Sequence, residues 1–425
     1  MLLGFTALLL LLLAAGMPVA FALSMAGLVG MYFFMHGAAV FTQVPMIAYK
    51  TLDDFVITAV PLYILMSHIL LSGKVGNDLF ELGSKWLRHL PGGLGVATVF
   101  ACALFAAISG SSVATAVTIG AMAIPEMVKR NYRRQTVLGT VAAGGTLGIL
   151  IPPSIPMILY GSITGESVGK LFLSGIVPGV LMTALFIALV VFQSRDLPYQ
   201  PPASWAERFA SLRKSIWGLL LPVIVVGGIY SGVFTPTEAA AVGTLYSLFI
   251  TFCVYRTLGF GDLPEILRAS VKTTSMIFAI MIGAMLFGFV LTILQVPQHL
   301  TEFVTQQDAN RWVIFFGINI LLLVLGCILE TVSILLITLP ILYPIIRQLG
   351  FDPIWFNVVL LINMELALIT PPIGMNLFVI QGISPESKMQ QIIYGAMPFA
   401  ALMVLEIALL CFFPEIVTWL PNALQ

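Results

Sequence analysis

Apolar runs of about the 20 residues needed to cross a bilayer recur along most of the chain, parted by short polar segments. They fall near residues 2–16, 19–36, 55–72, 136–165, 170–193, 216–233, 238–256, 273–295, 355–383 and 392–413. The first two are short enough to form either two helices or one long tilted one. Two further apolar blocks, 93–126 and 312–346, carry polar clusters at their centres. The clusters are Ser109, Gly110, Ser111, Ser112 and Thr115 in the first block and Glu330, Thr331 and Ser333 in the second. The longest polar stretch, 194–215, divides the chain near its midpoint and reads as an amphipathic connector between two halves, 1–193 and 216–425.

One interruption occurs twice, as "GILIPPSIPMILYGSITGES" from Gly148 and "LALITPPIGMNLFVIQGISPES" from Leu366. Proline lacks a backbone donor and clashes with the preceding turn, so a Pro-Pro pair interrupts a helix. In lipid the freed carbonyls and amides find no water and are tolerated only against a protein cavity or a ligand. The two pairs lie 371 − 152 = 219 positions apart, and the same offset carries Pro125 to Pro344, Ser111 to Glu330 and Ser112 to Thr331. After one inserted residue Glu166-Ser167 matches Glu386-Ser387, and Pro178 matches Pro398. An internal duplication is therefore predicted.

Charge then sets a topology. If blocks 93–126 and 312–346 are re-entrant hairpins, a cytoplasmic 129–134 places 74–90, 194–215, 256–272 and 384–391 in the cytoplasm too. Those segments hold fifteen of the 19 Lys and Arg residues, and the other face keeps only Lys50, Lys170, Arg311 and Arg347. This is a positive-inside pattern, and it weakens if either block crosses fully. Each half then crosses an odd number of times, so the second copy is inverted. The hairpins enter from opposite faces and their tips meet the Pro-Pro breaks near the midplane, an arrangement typical of secondary transporters.

Composition narrows the class. Hydrophobic residues make up 59% of the chain and charged ones only 9%, against about 25% charged in a soluble domain. With a mean hydropathy of +1.05, the fold class is an all-α polytopic membrane protein without a sizeable soluble domain. Zero net charge gives no electrostatic case for nucleic acid. Cys102, Cys253, Cys327 and Cys411 lie far apart in apolar stretches, with no disulfide framework. The four histidines show no ligand spacing, so neither a metal cofactor nor an enzyme is predicted. The N-terminal "MLLGFTALLLLLLAAGMPVAFA" lacks the basic start of a signal peptide and stays apolar after Pro18, as a retained membrane helix does.

Each predicted site pairs a hairpin tip with a helix break. The first combines Ser109, Ser111, Ser112 and Thr115 with Thr146, Gly148, Pro152, Pro153 and Ser154; the second combines Glu330, Thr331 and Ser333 with Glu365, Thr370, Pro371, Pro372, Gly374 and Asn376. Hydroxyls and unwound carbonyls are the hard oxygen ligands that a small cation such as Na+ takes. Ser111, Ser112, Thr115, Gly148, Pro152, Glu330, Thr331, Thr370, Gly374 and Asn376 are the candidate Na+ ligands. Helix N-termini facing the same cavity favour a carboxylate, with Ser109, Ser111, Ser112, Ser154, Thr331 and Asn376 as candidate substrate contacts. Small residues also pack helix on helix; recurrence at one offset favours a site. Glu330 and Glu365 are costly in lipid and must face a cavity or a partner, and ion binding, proton carriage and bracing all stay open for them. Glu406 reads as a subunit contact and Glu238 as a helix-start residue. No Lys or Arg lies inside a predicted span, so a carboxylate substrate would be neutralised by helix ends and co-bound cations.

With these elements placed, the chain resembles the large membrane subunit, the M component, of TRAP (tripartite ATP-independent periplasmic) transporters over essentially its full length. The resemblance rests on "GMPVAFALSMAG" at 16–27, "HLPGGLGVATVFACALFAAISGSSVATA" at 89–116, "GTLGILIPPSIPMILYG" at 145–161, "FTPTEAAAVG" at 234–243 and "LITPPIGMNLFVIQGIS" at 368–384. It implies an ion-transporter-type elevator fold, in which a domain holding both hairpins and both broken helices slides against a scaffold. It also implies a bacterial inner-membrane location and Na+-driven uptake of an organic acid such as a C4-dicarboxylate or sialic acid. A periplasmic solute-binding protein would deliver the acid, and a small four-helix membrane subunit, the Q component, would accompany the chain as a separate polypeptide. The nearest rival is a stand-alone Na+- or H+-coupled carboxylate transporter. A membrane-embedded enzyme would need a catalytic base or metal cluster at a membrane face, and the sequence offers none.

Overall fold

A computed structural model of the chain describes residues 2–34, 37–196, 200–296, 298–299, 302 and 310–424. Within them the regular structure is helical throughout. The N-terminal apolar stretch forms two helices, α1 (Leu2–Ala14) and α2 (Val19–Phe34). They part at Gly16, whose φ of +80° suits glycine, and at Pro18, which cannot continue a helix. The segment 37–54, which parts two of the apolar runs, contains a short helix, α3 (Gln43–Leu52). Next come α4 (Ala59–Ser72) and α5 (Val75–Leu87), bent by 65°.

The hairpin α6 (Gly93–Ser109) and α7 (Ser112–Lys129) is followed by a helix broken into α8 (Arg134–Leu150) and α9 (Ile155–Thr164), then by α10 (Val168–Gln193). α11 (Trp205–Tyr230) begins inside the polar midpoint stretch, where Ser204 and Glu207 form a reciprocal capping box. The stretch 194–215 is therefore partly the first turns of a spanning helix. α12 (Pro236–Phe249) starts with a second such box, Thr235 with Glu238, which is the part Glu238 plays. α13 (Leu263–Ile293) follows. The hairpin α14 (Arg311–Gly326) and α15 (Thr331–Gln348) leads into a second broken helix, α16 (Pro353–Leu368) and α17 (Met375–Ile383). The chain closes with α18 (Met389–Phe412) and α19 (Glu415–Ala423). The segment 296–311, which parts two apolar runs, lies largely outside the described residues. Among those residues seven helices or helix runs are long and apolar enough to cross a membrane, and an eighth if the bent pair counts as one span.

Element boundaries follow the sequence offset. α15 starts 331 − 112 = 219 and ends 348 − 129 = 219 positions after α7, and α16 starts 353 − 134 = 219 positions after α8. Both Pro152–Pro153 and Pro371–Pro372 are cis.

Polar contacts sort the connecting segments into two sets. In one set Arg88 Nε donates to the Pro201 carbonyl (2.8 Å), and Lys85 pairs with Glu207 (3.0 Å). Arg133 lies 3.8 Å from Asp196, and Arg134 pairs with Glu386 at 2.6 Å. In the other set Ser162 donates to Asp54 (2.9 Å), Tyr230 to the Gly169 carbonyl (2.7 Å), Tyr343 to Glu166 (2.9 Å) and Tyr160 to the Pro353 carbonyl (2.7 Å). Glu166 precedes α10 and Asp196 follows it. The 26 residues of α10 separate the sets by about 39 Å at the helical rise. Both ends of the α6–α7 hairpin meet the first set. At the second hairpin the Arg311 guanidinium and the Trp312 ring both pack on Phe351, at 5.2 and 5.1 Å, and Tyr343 reaches the second set. The two hairpins open toward opposite ends of α10.

The helices pack in two groups. α13 lies on α2 and α4, and α12 on α4 and α11. α8 is enclosed by α6, α7, α10 and α18, and α16 contacts α8, α10, α14 and α18. Every residue of α8 from Thr136 to Leu150 and of α16 from Trp355 to Leu368 is buried. The two broken helices form the centre of the second group. Glu406 corrects an expectation here: it is 0% exposed, and neither carboxylate oxygen has a partner. α18 packs against α8, α10 and α16, so Glu406 lies inside the fold and not at a subunit surface.

Candidate functional site: a cavity between two hairpin tips

Both hairpin tips and residues flanking both helix breaks line one cavity of ≈ 170 Å³, room for several waters. Gly110, Ser111, Ser112 and Val113 come from the first tip, and Glu330, Thr331 and Val332 from the second. Ile149, Ile155 and Pro156 flank the first break, and Leu368 and Met375 the second. α13 closes the wall with Thr273, Met276 and Ile277.

Local chemistry explains why the first tip stays open. The chain turns at Gly110 (φ +60°), where a Cβ would collide with the Pro153 carbonyl. Ser111 is extended and caps α7, its Oγ accepting from Ala114 N at 3.4 Å. Thr115 Oγ1 donates to the Ser111 carbonyl (2.8 Å) and lies 3.0 Å from Ser109 Oγ. Gly148 lets the end of α8 reach this tip, because a Cβ there would overlap the Ser111 carbonyl. Ser154 Oγ donates to the Ile149 carbonyl at 2.6 Å and so satisfies one acceptor freed by the break.

The second tip is built differently. Glu330 occupies the cap position of α15, yet its side chain makes no cap bond and its buried Oε1 has no partner. Ser333 Oγ is likewise buried and unpartnered. At the second break Thr370 Oγ1 donates to the Leu366 carbonyl (2.6 Å), and the Cys327 thiol lies 3.4 Å from the Pro371 carbonyl. Gly374 adopts φ +58°, while Pro371 and Pro372 are exposed.

The expected division into two sites is redrawn. Glu365 and Asn376, grouped by sequence with the second tip, reach the first: Glu365 accepts from Ile149 N (3.2 Å) and Ser112 Oγ (3.5 Å), and Asn376 Nδ2 donates to Ser112 Oγ (2.9 Å). Of the predicted ligands Ser111, Ser112, Glu330 and Thr331 face the cavity, whereas Ser109, Thr115 and Ser154 are buried outside its lining. Pro152 faces a separate apolar hollow with Ala107, Ile176 and Pro222. Sequence reasoning missed the α13 wall. Its signal was the hydroxyl cluster Thr273, Thr274 and Ser275 at the start of an apolar run.

Electrostatically, four helices begin at the cavity, namely α7, α9, α15 and α17. Their free amides and dipoles give partial positive charge there, and no Lys or Arg is among the lining residues. Partial positive charge of this kind favours an anionic group.

The sequence profile of the tripartite ATP-independent periplasmic transporter DctM component matches residues 6–416. The C4-dicarboxylate TRAP transporter large permease protein DctM of Pseudomonas aeruginosa is 41% identical over 376 residues, 88% of each chain. The sialic acid TRAP transporter large permease protein SiaM of Vibrio cholerae is 34% identical over 97% of this chain and 96% of its own. Among solved structures the YdaH transporter of Alcanivorax borkumensis superposes with a TM-score of 0.63 at 14% identity, covering 91% of this chain and 89% of that one. That likeness is one of fold.

Proposed function

The chain belongs to the DctM-component family of tripartite ATP-independent periplasmic transporters, and on that premise we propose that this multi-pass protein carries an organic carboxylate across the bacterial inner membrane, driven by Na+. The observation that carries the reading is the convergence of four helix N-termini and one unpartnered carboxylate, Glu330, on a cavity lined by no Lys or Arg. Amides at helix starts hold the substrate carboxylate. Glu330 would repel that substrate unless a cation lies between them, which ties binding of the acid to binding of Na+. In this reading Ser111, Ser112 and the Gly148 carbonyl hold Na+ at the first tip, with Asn376 joining them. Glu330, Thr331, Thr370 and Gly374 serve the second. C4-dicarboxylates and sialic acid, the substrates in the relatives' names, are the first acids to test.

The halves 1–193 and 216–425 act as inverted repeats, a reading supported by the shared 219-residue offset and by hairpins that open toward opposite ends of α10. The group around α8 and α16 is the moving part, and the group around α2, α4, α12 and α13 the scaffold of an elevator. A small four-helix subunit enlarges that scaffold, and a periplasmic solute-binding protein supplies the acid. The test is uptake into proteoliposomes holding the chain and both partners. An inward Na+ gradient should drive accumulation, and a proton gradient in choline medium should not. Equal uptake under a proton gradient alone would overturn Na+ coupling.

A further inference from the structure

The Ser112 hydroxyl is held from two sides. Asn376 Nδ2 on α17 donates to Ser112 Oγ at 2.9 Å, and Ser112 Oγ donates to Glu365 Oε2 on α16 at 3.5 Å. Glu365 Oε1 accepts from the backbone N–H of Ile149 on α8 at 3.2 Å. All three side chains are withdrawn from solvent, with Ser112 at 4%, Glu365 at 1% and Asn376 at 0% exposure.

The direction of each bond follows from the groups around it. Asn376 Nδ2 also lies 3.4 Å from the Ala142 carbonyl. A carbonyl only accepts, so the amide nitrogen and not the oxygen sits on that side. The nitrogen therefore donates to Ser112. A hydroxyl has one hydrogen and two lone pairs; the hydrogen goes to Glu365 and one lone pair to Asn376. The remaining lone pair belongs to a residue that lines the cavity.

We propose that Glu365 is a positioning residue which, together with Asn376, fixes the polarity of the Ser112 hydroxyl so that an oxygen lone pair, and not a hydrogen, is offered to a cation in the cavity. This rests on the Na+ reading above. A hard cation is bound through oxygen lone pairs, and a hydroxyl hydrogen turned toward it would repel it. Glu365 itself does not line the cavity, and each of its oxygens already meets a donor. It acts through Ser112. Asn376 Oδ1, buried and without a partner, leaves a second free acceptor in the same cluster.

Glu365→Gln separates polarity from packing. The Ile149 N–H keeps facing an oxygen, so the new amide nitrogen must face Ser112. The Ser112 hydroxyl then loses its acceptor and swings its hydrogen toward the cavity, while side-chain volume is retained. The Na+ concentration for half-maximal uptake should rise roughly tenfold, a hydrogen-bond-scale change, with substrate KM at saturating Na+ unaltered. The rise in Tm that Na+ confers on the detergent-solubilised protein, by mass action, should move to the same higher Na+ range. Ser112→Ala should shift both readouts equally, and the double variant should go no further than Ser112→Ala alone. A folded Glu365→Gln protein with unshifted Na+ dependence in both readouts would reduce Glu365 to a brace and overturn the assignment. If that variant does not fold, Ser112→Ala decides the matter, and unchanged Na+ dependence there overturns it equally. Indifference of the unsubstituted protein to Na+ would instead remove the Na+ reading itself, and this assignment with it.

Discussion

Gly139 on α8 and Gly395 on α18 touch backbone to backbone. A Cβ on Gly139 would overlap the Gly395 carbonyl, and one on Gly395 would overlap the Gln135 carbonyl. Close approach through glycine is a common way for membrane helices to pack, and here it seats the helix that carries the first break. Gly139→Ala or Gly395→Ala must push the two helices apart. Overpacking of this kind costs about 1–3 kcal/mol or more, so Tm should fall by several degrees and detergent extracts should lose monodispersity. Gly317 on α14 has nothing within 4 Å of its would-be Cβ, and Gly317→Ala should leave Tm unchanged or raise it slightly. Equal tolerance at 139 and 317 would contradict the packing.

Topology can be read by labelling a cysteine-free variant with an impermeant thiol reagent. Arg88→Cys and Arg130→Cys flank the first hairpin and should react only from the cytoplasmic face. Lys170→Cys and Gly350→Cys should react only from outside. Reaction of positions 88 and 130 from opposite faces would mean that block 93–126 crosses the bilayer.

Much of this fold was legible in the sequence because prolines and glycines act locally. The breaks at Pro152 and Pro371 appear where the Pro-Pro pairs demand them, between α8 and α9 and between α16 and α17. What local chemistry could not reveal is which half serves which tip. Sequence offset groups Glu365 and Asn376 with Glu330, but tertiary packing interleaves the halves and brings both to Ser112. Glu406 was misread for a related reason: in an evenly apolar helix such as α18, hydropathy does not separate a lipid-facing position from one facing other helices. The short helix α3 escaped notice because its ten residues are too few and too mixed in polarity to read as a span.

A pH effect is expected at the midpoint segment. Hydrogen bonds from Lys85, and then from Ser204, hold the exposed Glu207 carboxyl at about 2, below its usual 4.5. A depressed carboxyl contributes stability above its unfolded value and loses it as pH falls through the folded one. The Tm difference between the unsubstituted protein and Glu207→Gln should therefore be full at pH 7, shrink from about pH 4.5 and vanish near pH 2. Because the pair is exposed, salt should shrink it as well. A Tm difference that persists undiminished at the lowest pH would argue against the Lys85 link.

Glu330 should show function and stability pulling apart. Its Oε1 is buried without a partner, a state that costs free energy in the resting protein. Glu330→Ala should thus leave Tm equal or higher while Na+-driven uptake falls at least about tenfold, the loss of one charged interaction. Glu330→Gln should rescue little if the charge is what meets Na+. Wild-type uptake by both variants would place the cation elsewhere.

The chain should not transport alone. Two of its connections at the end of α10 that holds Glu166 are short, Gly165–Ser167 from α9 to α10 and Ser231–Thr235 from α11 to α12, and a longer one between α2 and α4 is partly taken up by the helix α3. Segments of that size can dock a protein but cannot enclose and concentrate a scarce solute, so on the proposed reading capture should fall to a separate binding protein. The proposed elevator raises a second requirement. A domain built around α8 and α16 can slide only if its neighbours are held still, and the group formed by α2, α4, α12 and α13 is the smaller partner for that task. A small helical subunit that widens it would resist tilting of the scaffold in the bilayer. Reconstitution in three steps separates these roles: the chain alone, the chain with the small subunit, and both with the binding protein loaded with acid. Na+-driven accumulation should appear only in the last. Robust accumulation by the chain alone would place it among carriers that need no partners.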